Sequence, residues 1–294
     1  MSTTPDVPDA LVPDVLDGPL ASATDTADDD AAADAPADGP EVDDGTAAAD
    51  AERATTQHGT FRAHPVSFVR RSGRLTDGQA KALERSGARV ILDVPRDVAR
   101  TSVDPACRLD VPAVFGRRAP LVVEVGSGMG ENAVAAAAAD PTRDVLALEV
   151  YLPGIAQAVL AGDREGVTNL RLAQVNAPEL FATALAPASV DEVWVFFPDP
   201  WHKTRHHKRR LVQPSFAGEV ARVLRPGGVW RLATDWEPYA DHVREVLRGR
   251  TDLVPLVDGS DGVVERFDGR VLTTFEAKGL RAGRSVTDLA YVRV

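Results

Sequence analysis

From Pro120 onward, short runs of continuously apolar residues alternate with segments of helical spacing, and this pattern constrains the fold more than any other feature. Leu121–Val125, Val145–Val150, Leu170–Val175, Val193–Phe197 and Val229–Ala233 read as strands. Asn132–Ala139, Pro153–Ala161, Pro178–Leu185, Pro214–Leu224 and Tyr239–Leu247 read as the helices between them. A strand that is apolar on both faces must be covered on both faces. The pattern therefore predicts a parallel sheet between two layers of helices. Leu289–Val294 alternates and reads as a final strand.

The first half is organised differently. Residues 1–52 hold fifteen Asp or Glu and no Lys or Arg, which accounts for the net charge of −11. Residues 53–294 carry 33 basic and 29 acidic side chains, a mildly basic body. Residues 1–55 have too few large apolar groups to offset the entropy of ordering, so they are read as a disordered acidic tail. Residues 56–115 are expected to form an N-terminal extension packing on the catalytic domain, which is expected to span 116–294. Within the extension, Thr76 and Gln79 have the spacing of a capping box opening a helix, while Pro95, Pro105 and Pro112 are expected to break regular structure. Opposite charge suggests that the tail competes with nucleic acid for the basic body. The single cysteine, Cys107, excludes an internal disulfide, and no Cys/His spacing suits zinc. No apolar run reaches eighteen residues and no secretory signal opens the chain. A cytoplasmic protein with no membrane and no metal is expected.

Glu124-Val-Gly126-Ser-Gly128-Met-Gly130 closes the first strand and opens a helix. Glycines there let the backbone turn tightly and approach a ligand. Glu149, at the end of the second strand, is placed to accept from ribose hydroxyls. The loop alone does not choose between a dinucleotide and S-adenosylmethionine. Its Gly-x-Gly-x-Gly spacing departs from the dinucleotide fingerprint, however, and Glu124 suits an ammonium-bearing ligand better than a diphosphate, which it would repel.

The fourth strand runs into Pro198-Asp199-Pro200-Trp201-His202-Lys203. Two prolines fix the backbone around Asp199, and Trp201 offers a flat face for a base. A proline-braced turn with Asp199 as a local cap is the plainer reading, but it does not account for the tryptophan and the basic run that follow. That run holds Lys203, Arg205, Lys208, Arg209 and Arg210, with no acid between Asp199 and Glu219. Beside a cofactor cleft it reads as a footprint for a phosphate backbone. Asp235 follows the fifth strand on the same rim, where carboxylates are more often functional than structural; capping the next helix is its alternative.

Taken together, Glu124–Gly130, Phe196–Lys203, Arg205–Arg210, Ala233–Tyr239 and Thr273–Glu276, with Gly279 and Arg281 after it, make the chain similar to the tRNA (guanine-N7-)-methyltransferase family. Ser67–Thr76 resembles the family's approach to the domain. The resemblance implies a Rossmann-like class I methyltransferase fold: a mostly parallel seven-stranded sheet with an antiparallel last strand and helices on both faces. It implies that Glu124, Gly126, Gly128, Glu149, Asn176 and Asp199 bind S-adenosylmethionine, Asp199 being the catalytic carboxylate. Lys203, Asp235, Thr273, Phe275 and Glu276 would bind the guanine, and Arg205, Lys208, Arg209 and Arg210 the tRNA, in a monomer or homodimer. Asn176 stands where many members have Asp, and Thr274 where a basic residue is commoner.

Guanine N7 carries an in-plane lone pair, so its methylation needs positioning, not a strong base. Asp199 is accordingly expected to act electrostatically, and Asp235 or Glu276 to accept from guanine N1–H and N2–H₂. The alternatives are a methylase of another RNA or of a small molecule, a non-catalytic RNA-binding relative, and, weakest, a nicotinamide-dependent oxidoreductase.

Overall fold

The computed structural model describes residues 66–68 and 73–294, which belong to one compact unit, His58–Val294. The acidic tail lies outside the described residues, as do Arg70 and Arg71.

The helix expected at Thr76 forms as α1 (Asp77–Ala82), which passes through a π-helical turn (Leu83–Gly87) and a last helical turn (Ala88–Val90). Its capping box is complete: Thr76 Oγ1 accepts from Gln79 N–H at 3.3 Å, and Gln79 Oε1 accepts from Thr76 N–H at 3.0 Å. Pro112 does not break structure; it lies in the first turn of α2 (Val111–Phe115). Asp110 caps that helix through Ala113 N–H, and Gly116, at φ 71°, ends it. Proline lacks only an N–H that a first turn leaves unused, so here it marks a beginning.

The remainder is β1 (Leu121–Val125), α3 (Glu131–Ala139), β2 (Asp144–Glu149), α4 (Leu152–Glu165), β3 (Leu170–Gln174), α5 (Ala177–Thr183) and β4 (Val190–Phe196). Then follow a 3₁₀ turn (Thr204–Arg209), α6 (Pro214–Val223), β5 (Leu224–Thr234), α7 (Glu237–Leu247), β6 (Leu253–Pro255), β7 (Val263–Val264), α8 (Thr274–Arg281) and β8 (Thr287–Arg293). The sheet order is β3-β2-β1-β4-β5-β8-β6, with β7 also on β8. The five strands from β3 to β5 are parallel, and β8 runs antiparallel to β5.

The sheet has eight strands, against seven expected, because its outer strand is interrupted. β6 pairs with residues 291–293 of β8 and β7 with 288–289, so two short pieces occupy one edge. At the other edge, Ile91 bridges to Leu172, and Leu92 N–H donates to the Leu172 carbonyl at 2.8 Å. Leu224–Gly228, which spans the gap between the expected helix ending at Leu224 and the expected strand starting at Val229, is absorbed into β5 as an irregularity against β4.

Alternate residues of each strand enter separate cores. Leu121, Val123 and Val125 pack with Phe181, Phe216, Trp230 and Tyr239 under α5, α6 and α7. Val122, Trp194 and Phe196 pack with Ala133, Val134, Ile155 and Val159 under α3 and α4. Each large side chain so buried contributes roughly 1.5–3 kcal/mol, which fixes the register and with it the carboxyl rim of the sheet.

Candidate active site

In the parallel β1–β4 pair, Val125 sits opposite Val195, so the glycine loop and the Phe197–Trp201 turn leave adjacent strand ends on one rim. Glu149, Asn176 and Asp235 leave β2, β3 and β5 on the same rim. The sequence-predicted residues thus converge along a single edge.

Gly126, Gly128 and Gly130 take φ of 73°, 55° and 79°. A Cβ on Gly130 would lie 2.4 Å from the Ala158 Cβ, and one on Gly154 would lie 2.2 Å from the Gly128 carbonyl oxygen. The loop is therefore clamped against α4, with no room for a side chain at Gly130 or Gly154. Glu149 completes the clamp: its carboxylate accepts from Gly128 N–H at 2.8 Å, Val150 N–H at 2.6 Å and Tyr151 N–H at 2.9 Å. Glu124 is only 2% exposed, and its Oε2 has no hydrogen-bond partner among the described residues. Burial, and then the charge of Glu149, push its carboxyl up to about 8, against the lowering effect of hydrogen bonds from Ala133 and Asn132. Asn176 is buried; its Nδ2 donates to Glu179 at 2.7 Å, and its N–H to the Thr101 carbonyl at 2.6 Å.

Phe197 and Trp201 bracket the Pro198–Pro200 turn with φ of 51° and 49°, the left-handed region that bulky residues avoid. Between them the half-buried Asp199 carboxylate has no hydrogen-bond or ion-pair partner among the described residues, so it is not a cap. Trp201 is not an open platform: the Arg209 guanidinium lies 3.9 Å from its ring centroid, and its Nε1–H donates to the Ser67 carbonyl.

The basic run divides. Lys203, Arg205 and Lys208 are exposed on the 3₁₀ turn and its approach. Arg209 stacks on Trp201 and also donates to the Val66 carbonyl at 3.3 Å. Arg210 does not fit the RNA-facing role expected of it. It is 4% exposed and donates inward to the Pro200 carbonyl at 3.0 Å and the Pro238 carbonyl at 3.4 Å.

Asp235 does not cap α7, whose N-cap is Trp236; it pairs with Arg284 at 2.7 Å. The segment from Arg266 to Arg281 folds over the rim. Val271 N–H donates to Asn132 Oδ1 at 3.0 Å, and Thr274 binds Glu131 through its N–H and its hydroxyl. Thr273 caps α8 by accepting from Glu276 N–H at 3.2 Å. Phe275 is 51% exposed, with its ring centroid 5.3 Å from that of Phe197. Glu276 is not presented to a ligand: at 2% exposure, its oxygens are held by Arg266 and by Arg270, the latter at 2.7 Å. Arg270 in turn holds Asp288 at 2.8 Å. The expectation that Glu276 accepts from guanine is corrected accordingly, because its oxygens are taken by the Arg266 and Arg270 guanidinium groups, the latter fully buried.

A family model described as "Putative methyltransferase" matches residues 118–289. A tRNA (guanine-N(7)-)-methyltransferase of Paenarthrobacter aurescens is 44% identical over 279 residues, covering 79% of this chain and 93% of that one. One from Cutibacterium acnes is 48% identical, covering 78% of this chain and 83% of its own. One from a Nocardioides species is 53% identical over 179 residues, 61% of this chain and 70% of its own. The chain belongs to the tRNA (guanine-N(7)-)-methyltransferase family.

The residues present fit the methyl donor of such a methyltransferase. The unpartnered Glu124 oxygen is a buried acceptor for an ammonium group. The half-buried Glu149 carboxylate is held rigidly beside a glycine cradle in which Cβ atoms on Gly126 and Gly128 would stand in open space. Sequence reasoning missed Glu131, Asn132, Arg270 and Arg284, which hold the rim together in this family member. The sequence signal that went unread was the Thr273-x-x-Glu276 cap spacing at the start of α8.

Proposed function

We propose that this chain transfers a methyl group from S-adenosylmethionine to N7 of a guanine in the variable loop of tRNA, forming 7-methylguanosine. What carries the reading is the shared rim: Asp199, a carboxylate with no partner among the described residues, stands on the turn that leaves the strand next to the glycine cradle. When bound, S-adenosylmethionine supplies an electrophilic methyl group. Everything else falls to the chain's own residues. Glu124 and Glu149 bind the donor, and Gly126 and Gly128 admit it. Asn176 borders the adenine side, and its fixed contact with Glu179 holds it there as a neutral group.

Phe275 and Phe197 form an apolar ledge for the guanine ring, flanked by Lys203. The Asp235 Oδ2 takes Arg284, which leaves Oδ1 to accept from the guanine N1–H and N2–H₂ edge, a pattern adenine cannot supply. Thr273 and Glu276 serve this pocket by fixing α8 behind Phe275. The purine gains positive charge as N7 is alkylated, and Asp199 stabilises that charge without taking a proton. No general base is required, because N7 carries no proton. The target base must be unstacked to reach the rim, and Arg205, Lys208 and the edge of Arg209 hold the backbone on either side. A tRNA substrate sets the reaction in the cytoplasm. Among the described residues no helix is long and apolar enough to cross a membrane.

Incubating the protein with unmodified tRNA and S-adenosylmethionine, then digesting and separating nucleosides by mass, tests the proposal. 7-Methylguanosine is the expected product. A different methylated nucleoside, or none, overturns it.

A further inference from the structure

Arg210 belongs to a run of cations in sequence, yet its environment is unlike that of its neighbours. Its guanidinium is buried, and among the described residues no carboxylate lies within ion-pair distance. A charge in that position persists only if its donors are otherwise used. They are: Nε–H goes to the Pro200 carbonyl at 3.0 Å, Nη1 to the Pro238 carbonyl at 3.4 Å, and Nη2 to His207 Nε2 at 3.0 Å. A guanidinium only donates, so His207 accepts through an unprotonated Nε2. The group also lies 5.4 Å from the centroid of the Tyr239 ring, whose hydroxyl accepts from Val212 N–H.

Pro200 is the residue after Asp199. Pro238 is in the first turn of α7, three residues after Asp235. The fork therefore ties the turn carrying one carboxylate to the helix that follows the other. The turn needs such a tie. Phe197 and Trp201 hold left-handed φ values at its two ends, and Asp199 has no partner of its own among the described residues. Without an external brace, the strained backbone can relax and the unpartnered carboxylate can swing.

We propose that Arg210 is a positioning residue for methyl transfer, acting through the Pro198–Pro200 turn to aim Asp199, and not a contact to tRNA phosphate. This rests on the reading of Asp199 given above. Tyr239 feels the charge of Asp199 and of Arg210 in opposite senses, which places all three in one electrostatic neighbourhood. The fork also predicts that lysine will not replace arginine here, since a single ammonium cannot span two carbonyls and an imidazole in a plane.

The test compares Arg210→Ala, Arg210→Lys, Lys208→Ala, Asp199→Asn and the Asp199→Asn/Arg210→Lys double variant, each in the full-length chain. Three quantities are read: the single-turnover methylation rate of saturating tRNA, the tRNA Kd, and the slope of log Kd against log salt. The expected result for Arg210→Lys and Arg210→Ala is a rate at least tenfold lower, with Kd within twofold and the salt slope unchanged. Lys208→Ala should do the reverse, weakening binding and shrinking the slope. If the alanine variant fails to fold, the lysine variant, which keeps charge and bulk, carries the comparison. In the Asp199→Asn background, Arg210→Lys should cost less than threefold further, because both changes disable one group. A reduced salt slope with an unchanged rate in Arg210→Lys, or a full tenfold effect persisting in the double variant, overturns the proposal. Asp199→Asn at the wild-type rate overturns the assignment of Asp199 itself. An impaired Asp199→Asn beside an unimpaired Arg210→Lys overturns only the role given to Arg210.

Discussion

At Glu124 the fold maintains a carboxyl that titrates at about 8, where a carboxyl in water would titrate at 4.5. The sign of the consequence follows from proton linkage. Between these two values the native state holds a proton that the unfolded chain has lost, so stability falls as pH rises from about 4.5 to about 8 and levels off above. Each unit of displacement corresponds to about 1.4 kcal/mol. Thermal melts of the ligand-free protein from pH 6 to pH 9 should therefore show the wild type losing more Tm than Glu124→Gln. Parallel curves would remove the titration from Glu124. The same variant should bind S-adenosylmethionine at least tenfold more weakly by calorimetry, because its amide pairs poorly with an ammonium. Asp199, by contrast, is half-buried and has no partner among the described residues. Asp199→Asn should leave the melting curve in place while lowering the methylation rate about 10²–10³-fold, the range for removing one preorganised electrostatic group.

The helix α8 binds the late segment to the rim in two ways of different strength. Thr273→Ala removes one cap and should cost about 1 kcal/mol in urea denaturation. Glu276→Ala strips a carboxylate from two arginines, one of them fully buried, and should cost at least about 3 kcal/mol. A cost near that of the cap variant would mean that Asp288 alone satisfies Arg270. These elements also show where the sequence stopped being legible. Strands β1 to β5 were readable because burial on two faces leaves an apolar run, and the acids at their ends because position on a strand fixes position on the rim. Glu276 and Arg210 were read as ligand contacts yet lie buried among protein partners, because a charged side chain in a motif looks the same whether it points out or is consumed inside. Burial, which decides between those cases, depends on Arg266 and Arg270 in one case and on Pro200 and Pro238 in the other. None of these partners stands in a local pattern with the residue it satisfies. The helices α1 and α8 share one cap spacing, and α2 hid behind a proline taken for a breaker although it marks a start.

For the molecule as a whole, the proposed division of the basic run separates holding the RNA from reacting with it. Replacing Arg205 and Lys208 together by alanine should shrink the salt slope of tRNA binding by roughly 1.4–1.8, at about 0.7–0.9 per phosphate contact. An unchanged slope would move the backbone path to another face. The sheet that carries the rim ends in the β6–β7 pair on one side and in a single bridge from Ile91 on the other. Among the described residues, one border is made of two short strands and the other is a five-residue strand bridged at Leu172, which disfavours extension by strand addition. Strand addition between folded copies is thereby disfavoured, and concentrated samples should resist fibril growth seeded from the native state.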